Sequence, residues 1–328
     1  MSVQTKEGSM KKPFRKNVAL AIDGGGYRGV MVAKALSILE DHLDKECPDI
    51  FSLTAGTSTG SLISGGISAG MRASRMYELY CDIGQKVFKK RLRSTKPFSY
   101  LFRYMYSNRT LEETLRENFG EMTFGEFHEK YPDKDIIITV RDLVKNRTRF
   151  IKPWKSDYHE WKIWYAVLGS CTVPTYFPVV DGRYVDGGVG SFSNPCYIAA
   201  YEIEFCLDNW DPKETTLISI GTGRTQKGFE PYEANKYNQL KWIRPMFDIF
   251  LSDANDQQVR IVQSFFHDLD FRRFQVDFEE HIEMDDTSKT DVLTEYGEKL
   301  GKMIIEDKQD KKVINPHLGV SLKPLTKN

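Results

Sequence analysis

The stretch LTAGTSTGSLIS, residues 53–64, poses the question on which the fold turns. With the preceding DIF it reads as a short buried strand that ends in glycine. STGSLISGGISAG then reads as a helix of small residues, able to approach a sheet closely. Ser58 stands at the junction, between Gly56 and Gly60, in the pattern G-x-S-x-G. A sharp strand-to-helix turn exposes such a serine, and the flanking glycines leave room for strained backbone. The same residues also suit an ordinary N-cap serine on a close-packed helix.

Working outward, NVALAIDGGGYRG gives an apolar run from Val18 to Ile22, a glycine loop, and then a helix carrying Val32, Ala35, Leu36, Leu39 and Leu43 at helical spacing. Residues 71–134 read as mostly helical. KDIIITVRDL and NRTRFIKPW read as two strands joined by a turn, and WKIWYAVLGSCTVPTYFP as a helix stopped by Pro174. TTLISIGTG is another strand, and FRRFQVDF the last. A terminal amphipathic helix places Leu293, Tyr296, Leu300 and Ile304 on one face. Alternating strands and helices predict a three-layer α/β/α fold with a mostly parallel central sheet.

In such folds, sites lie beyond the carboxyl ends of the strands, where both glycine-rich turns fall. Gly24, Gly25, Gly26 and Gly29 fit G-x-G-x-x-G, the pattern of a dinucleotide-binding loop. That reading needs an acidic residue at the end of the second strand, which here ends in Ala55 and Gly56, while Asp49 precedes the strand. The rival reading is an oxyanion hole, in which glycine amides face a site without side chains in the way. A plain tight turn is the simplest reading of a single glycine, but three in succession followed by Arg28 and Gly29 ask for more.

A catalytic serine needs a proton acceptor. The candidate histidines are His128, His159, His267, His281 and His317, none in a small-residue loop after a clear strand. His267, in FFHDLD, is the least ill-placed. Asp186 in GRYVDGGVGSFSNP is better placed, since it follows an apolar step and precedes Gly187 and Gly188. A carboxylate within hydrogen-bond reach takes a serine proton directly. A turn aspartate in a D-G pair is the ordinary alternative.

The 328 residues suit one large domain, and 46 basic residues balance 46 acidic ones, so no global field favours a nucleic acid polymer. Five cysteines without a C-x-x-C pair argue against a disulfide framework or zinc site and fit a reducing, cytoplasmic setting. No metal or other cofactor is expected, and EMDD near residue 285 lacks calcium-loop spacing. The polar residues 1–16 read as a disordered leader without a signal peptide, and residues 306–328 as a charged tail. No apolar run is long enough to span a bilayer. Residues 86–109 mix basic and aromatic side chains with no acidic residue, which fits a lid or core layer or, alternatively, peripheral contact with anionic lipid.

Taken together, DGGGYRG (23–29), GTSTG (56–60), GSCTVPTYF (169–177), DGGVGSFSNP (186–195), SIGTG (219–223) and DDTSKTDVLTEYGEKL (285–300) resemble the patatin-like phospholipase family over roughly residues 17–305. The resemblance implies a Ser-Asp dyad acyl hydrolase acting on (lyso)phospholipids or other acyl lipids. By position, Ser58 is the expected nucleophile, Asp186 the base, and Gly25 and Gly26 the oxyanion donors, with Arg28 fixing their loop. Cys171-Thr172-Val173 and Ser193 depart from the family pattern and bear on pocket shape. Esterase or acyltransferase chemistry on soluble acyl groups and a nucleotide-binding module are the alternative functions. Some bacterial relatives answer to a second messenger; a small-molecule activator is compatible with this chain, but no residue of it shows one.

Overall fold

The computed structural model describes residues 10–88, 104–225 and 228–312. Among these, the strands are β1 (Asn17–Ile22), β2 (Leu53–Thr57), β3 (Asp135–Asp142), β4 (Arg147–Ile151), β5 (Tyr184–Asp186), β6 (Thr215–Ile220), β7 (Arg224–Thr225), β8 (Asp270–Phe274) and β9 (Asp277–Phe278). The helices are α1 (Gly29–Leu43), α2 (Cys47–Ile50), α3 (Thr59–Ser68), α4 (Ala73–Lys86), α5 (Asn108–Phe119), α6 (Phe124–Lys130), α7 (Ile163–Cys171), α8 (Cys196–Phe205), α9 (Gln239–Phe265) and α10 (Thr290–Ile305). The main sheet runs β4-β3-β2-β1-β6-β8, with β5 also paired to β3, while β7 and β9 form a separate ribbon. The four pairings along β3-β2-β1-β6-β8 are parallel; β4 and β5 are antiparallel to β3. The expected three-layer, mostly parallel architecture is therefore what forms.

The alternation of side chains along a strand builds the layers. Leu20 and Ile22 of β1, Ile136 and Ile138 of β3, and Ile218 and Ile220 of β6 face one core, shared with α1, α3, α4, α5, α7 and α10. Ala19, Ala21, Ala55, Ile137 and Leu217 face a second core beneath α8 and the end of α9. A strand buried on both faces needs no polar alternation, which is why VALAI reads as one apolar run. Leu293, Leu300 and Ile304 of α10 are buried, and Tyr296 packs partly buried beside Phe278. Two helices that the sequence reading did not single out, α8 and α9, cover the second face. Among the described residues no helix is long and apolar enough to cross a membrane.

The limits of the domain need correcting. Residues 10–16, expected to belong to a disordered leader, pack on the sheet. Met10 is buried, Arg15 N donates to Thr216 Oγ1 at 2.9 Å, and the carbonyls of Lys12 and Pro13 accept from Arg272 at 2.7 and 2.6 Å. The reason is Arg272 itself, which is fully buried in β8 and needs more acceptors than Asp270 alone supplies. Beyond residue 305, Asp310 is likewise held, by Arg224 at 3.1 Å and by the Arg273 carbonyl at 2.8 Å. Residues 1–9 and 313–328 lie outside the described residues, as do residues 89–103 of the basic-aromatic segment 86–109. Of that segment's aromatics, Phe88 and Tyr106 meet edge to face at 5.3 Å and both pack on Phe177, so these two belong to the core.

A buried ion pair ties the end of β1 to β8. Arg273 Nη1 and Nη2 donate to Asp23 Oδ1 and Oδ2 at 2.8 and 2.6 Å, and Nη1 also donates to Ser219 Oγ at 2.9 Å. Burial pushes the Asp23 carboxyl above its ordinary value, and the guanidinium opposes that push. Removing one partner leaves the other charge buried alone, which typically costs about 3–5 kcal/mol. Arg273→Met should therefore lower the unfolding free energy by about that amount. Pairing it with Asp23→Asn should recover part of the loss in urea titrations. An Arg273→Met protein as stable as the parent would show that the pair does not anchor β1.

Candidate active site

Ser58 begins where β2 stops. Its backbone sits at φ 55°, ψ −124°, which a side chain with a Cβ holds only under constraint from its surroundings. The constraint is visible. A Cβ on Gly56 would lie 2.2 Å from Gly60 O, and one on Gly60 would lie 2.2 Å from Ile22 O, so α3 starts pressed against the ends of β1 and β2. Ser170 Oγ, at the end of α7, accepts Ser58 N–H at 2.8 Å. Ser61 Oγ and Cys171 Sγ donate to Ser58 O at 2.6 and 3.1 Å. The Ser58 side chain makes no capping hydrogen bond to its helix, so the N-cap reading does not describe it.

β3 brings Asp186 to this serine. Thr57 of β2 faces Thr139 of β3, and the next residue, Val140, faces Asp186 of β5. The other edge of β3 is already taken over residues 138–142 by β4. β5 therefore continues the line of β2 from the opposite direction, and the two strands end face to face. Asp186 is buried. Its Oδ1 accepts Gly188 N–H at 2.7 Å, the local bond expected of a turn aspartate, but among the described residues its buried Oδ2 has no hydrogen-bond partner. Burial raises the carboxyl to about 6, against the lowering influence of the Ser58 hydroxyl and the Gly188 amide. The hydroxyl is thus near enough to bias the carboxylate without a well-aligned hydrogen bond, as is common before substrate binds. Gly187 packs against β3, where a Cβ would meet Thr139 O at 2.6 Å.

The glycine loop lies beside Ser58, and a Cβ on Gly24 would be 3.2 Å from that of Ser58. Gly24 N–H donates to Ser193 O at 2.8 Å and Tyr27 N–H to Met284 O at 2.7 Å. Gly24 O accepts from Thr222 Oγ1 at 2.6 Å, and Gly25 O accepts from Arg28 N and Nε at 3.3 and 3.2 Å. Among the described residues, Gly25 N–H and Gly26 N–H are left without an acceptor. Gly26 is held at φ 59° against the Met284 carbonyl, and Gly29 opens α1 against Thr59 and Tyr80.

Two cavities flank the loop. Ser58 and Gly26 border an apolar one of about 60 Å³ with Leu62, Ile83, Val173 and Phe177. Gly24, Arg28, Ser193 and Thr222 border a larger one of about 700 Å³, the more polar of the two, whose lining includes Asp23, Arg224 and Arg273. Of the departures noted in the sequence, Cys171 and Val173 line the apolar cavity and Ser193 the polar one. Burial pushes the Cys171 thiol up to about 12, so it stays protonated at neutral pH. His267 lies in an exposed turn before β8, at the far end of the parallel sheet from Ser58; His281 borders the polar cavity, near Thr225. Ser170 and Thr222 carry no signal of their own in the sequence, although Ser170 stands in GSCTVPTYF and Thr222 in SIGTG.

The family described as patatin-like phospholipase matches residues 20–200, more than half of the chain. An intracellular phospholipase A2 of Caenorhabditis elegans is 26% identical over 314 residues, covering 88% of this chain but only 28% of its own length. A cGAMP-activated phospholipase of Pseudomonas aeruginosa is 26% identical over 246 residues, covering 71% of this chain and 70% of its own. Among solved structures, VipD of Legionella pneumophila aligns with a TM-score of 0.44 at 11% identity, over 90% of this chain and 67% of that one.

The raised Asp186 carboxyl has a consequence for stability. Unfolded, it titrates near its ordinary 3.8; folded, near 6. Between those values the folded protein binds the extra proton, so stability falls as pH rises from about 4 to about 6 and then levels. Asp186→Asn removes the penalty of a buried, half-paired charge. The variant should exceed the parent by up to about 3 kcal/mol at pH 7, and the two should converge near pH 4. A constant difference across that range in denaturant titrations would show that Asp186 does not titrate as described.

Proposed function

The chain belongs to the patatin-like phospholipase family and is a hydrolase, and from that premise we propose that it cleaves fatty-acyl esters of phospholipids or lysophospholipids with Ser58 as nucleophile and Asp186 as base. The observation that carries this reading is the juxtaposition of Asp186, the strained Ser58 and two amides without acceptors at the edge of an apolar cavity. Ser58 Oγ attacks the ester carbonyl as its proton passes to Asp186. The Gly25 and Gly26 amides receive the oxyanion. The carbon–oxygen bond to the alcohol breaks, and Asp186 returns the proton to the leaving oxygen. Asp186 then takes a proton from water, whose oxygen attacks the acyl-enzyme. The acyl–Ser58 bond breaks, Ser58 regains its proton, and the fatty acid departs. In this reading the apolar cavity receives the acyl chain, and the basic residues of segment 86–109, but not its core aromatics Phe88 and Tyr106, meet the lipid surface.

Hydrolysis of a short, soluble acyl ester tests the dyad without the lipid surface. Ser58→Ala and Asp186→Ala should each lower kcat by several orders of magnitude, and the double variant by little more, since the two residues act as a unit. kcat/KM of the parent should climb as pH rises through about 6 and be flat above about 7, following the carboxyl that must be deprotonated to act. Ester turnover that survives Ser58→Ala would sink the reading. NAD or ATP binding in calorimetry, without turnover, would favour the nucleotide module.

A further inference from the structure

Thr222 follows β6, almost two hundred residues from the loop it touches, and lies outside residues 20–200. It is buried at 3% exposure, and its hydroxyl donates to Gly24 O at 2.6 Å. Gly24 C=O and Gly25 N–H belong to one peptide unit. That unit is planar and trans, so the two groups point in opposite directions and cannot turn independently. Holding the carbonyl therefore aims the amide. With Thr222 on the carbonyl, the Gly25 amide of the same peptide is turned away from Thr222, in a loop whose Gly24 lies against Ser58. Arg28 does the same one peptide further on, since its Nε and N hold Gly25 O, which shares a plane with Gly26 N–H. The fit behind Gly25 is also tight, as a Cβ there would sit 2.2 Å from Thr222 Oγ1.

We propose that Thr222 is a positioning residue for the oxyanion site, acting through the Gly24–Gly25 peptide to aim the Gly25 amide at the tetrahedral intermediate of a Ser58 ester. The inference rests on the hydrolytic reading above. The hydroxyl has one proton and commits it to Gly24 O, so Thr222 does not itself donate to the oxyanion. It contributes orientation, an effect that grows in the transition state, where negative charge develops, and is small for bound substrate.

The test compares Thr222→Val, which keeps the shape and removes the hydroxyl, with Thr222→Ser, which keeps the hydroxyl. Both are assayed on a soluble acyl ester beside the parent and Ser58→Ala, with circular dichroism and a melting curve for each. Thr222→Val should lose about ten- to a hundred-fold in kcat, less than the 10²–10³ typical of deleting an oxyanion donor, with KM within about twofold. Thr222→Ser should restore most of the rate. Affinity for a trifluoromethyl ketone, which forms an oxyanion on the serine, should fall in step with kcat. If Thr222→Val does not fold, Thr222→Ala replaces it in the same comparison. A kcat within about twofold of the parent, a serine variant as impaired as the valine one, or a loss confined to KM would each overturn the proposal. Full ester turnover by Ser58→Ala would instead overturn the hydrolytic reading on which it rests.

Discussion

The backbone of Ser58 is the constraint on which the site depends. A residue with a Cβ at φ 55°, ψ −124° costs on the order of 1–3 kcal/mol, so the surroundings must over-determine it. They do so from three directions. Gly56 and Gly60 let the start of α3 press against β1 and β2, closer than any side chain would allow. Ser170 accepts the Ser58 amide, and Ser61 and Cys171 donate to its carbonyl. The serine side chain is thereby freed from helix capping. The run of glycine and serine in α3 is thus a packing requirement of the turn as much as a motif.

A second constraint is the register of β3. Because Thr139 faces Thr57 and Val140 faces Asp186, the end of a parallel strand and the end of an antiparallel one meet on a single ruler. The same end of the sheet collects pieces from much later in the chain. Thr222 after β6, Arg273 in β8 and the Met284 carbonyl all fasten the glycine loop or the strand before it. The loop ends with its polar groups tied inward, except the two amides that the proposed chemistry needs.

The two buried carboxylates of the site differ in kind. Asp23 is held on both oxygens by Arg273, a structural pairing that keeps β1 in place. Asp186 has one oxygen held by Gly188 N–H and the other unsatisfied among the described residues, so burial leaves its affinity for a proton raised to about 6. A half-satisfied carboxylate is poor for stability and suited to proton transfer near neutral pH, as expected when environments push like groups to unlike roles.

The sequence by itself determined the layers and the two turns. Short apolar runs such as VALAI, closed off by a glycine loop, read as strands covered on both faces, and local periodicity marks α1 and α10, because these patterns depend on neighbours a few residues away. Ser58 between its glycines and the triple glycine after β1 were legible for the same reason. Asp186 was legible as a candidate from its resemblance and its D-G-G context, but a lone turn aspartate reads the same way. Only the tertiary structure decided that β5 would run antiparallel onto β3 and set Asp186 opposite the end of β2. The same holds for the packing of residues 10–16 around Arg272, and for Thr222, whose partner is a carbonyl 198 residues away. Backbone carbonyls and amides carry no residue identity, so no sequence pattern announces which of them a distant side chain will hold.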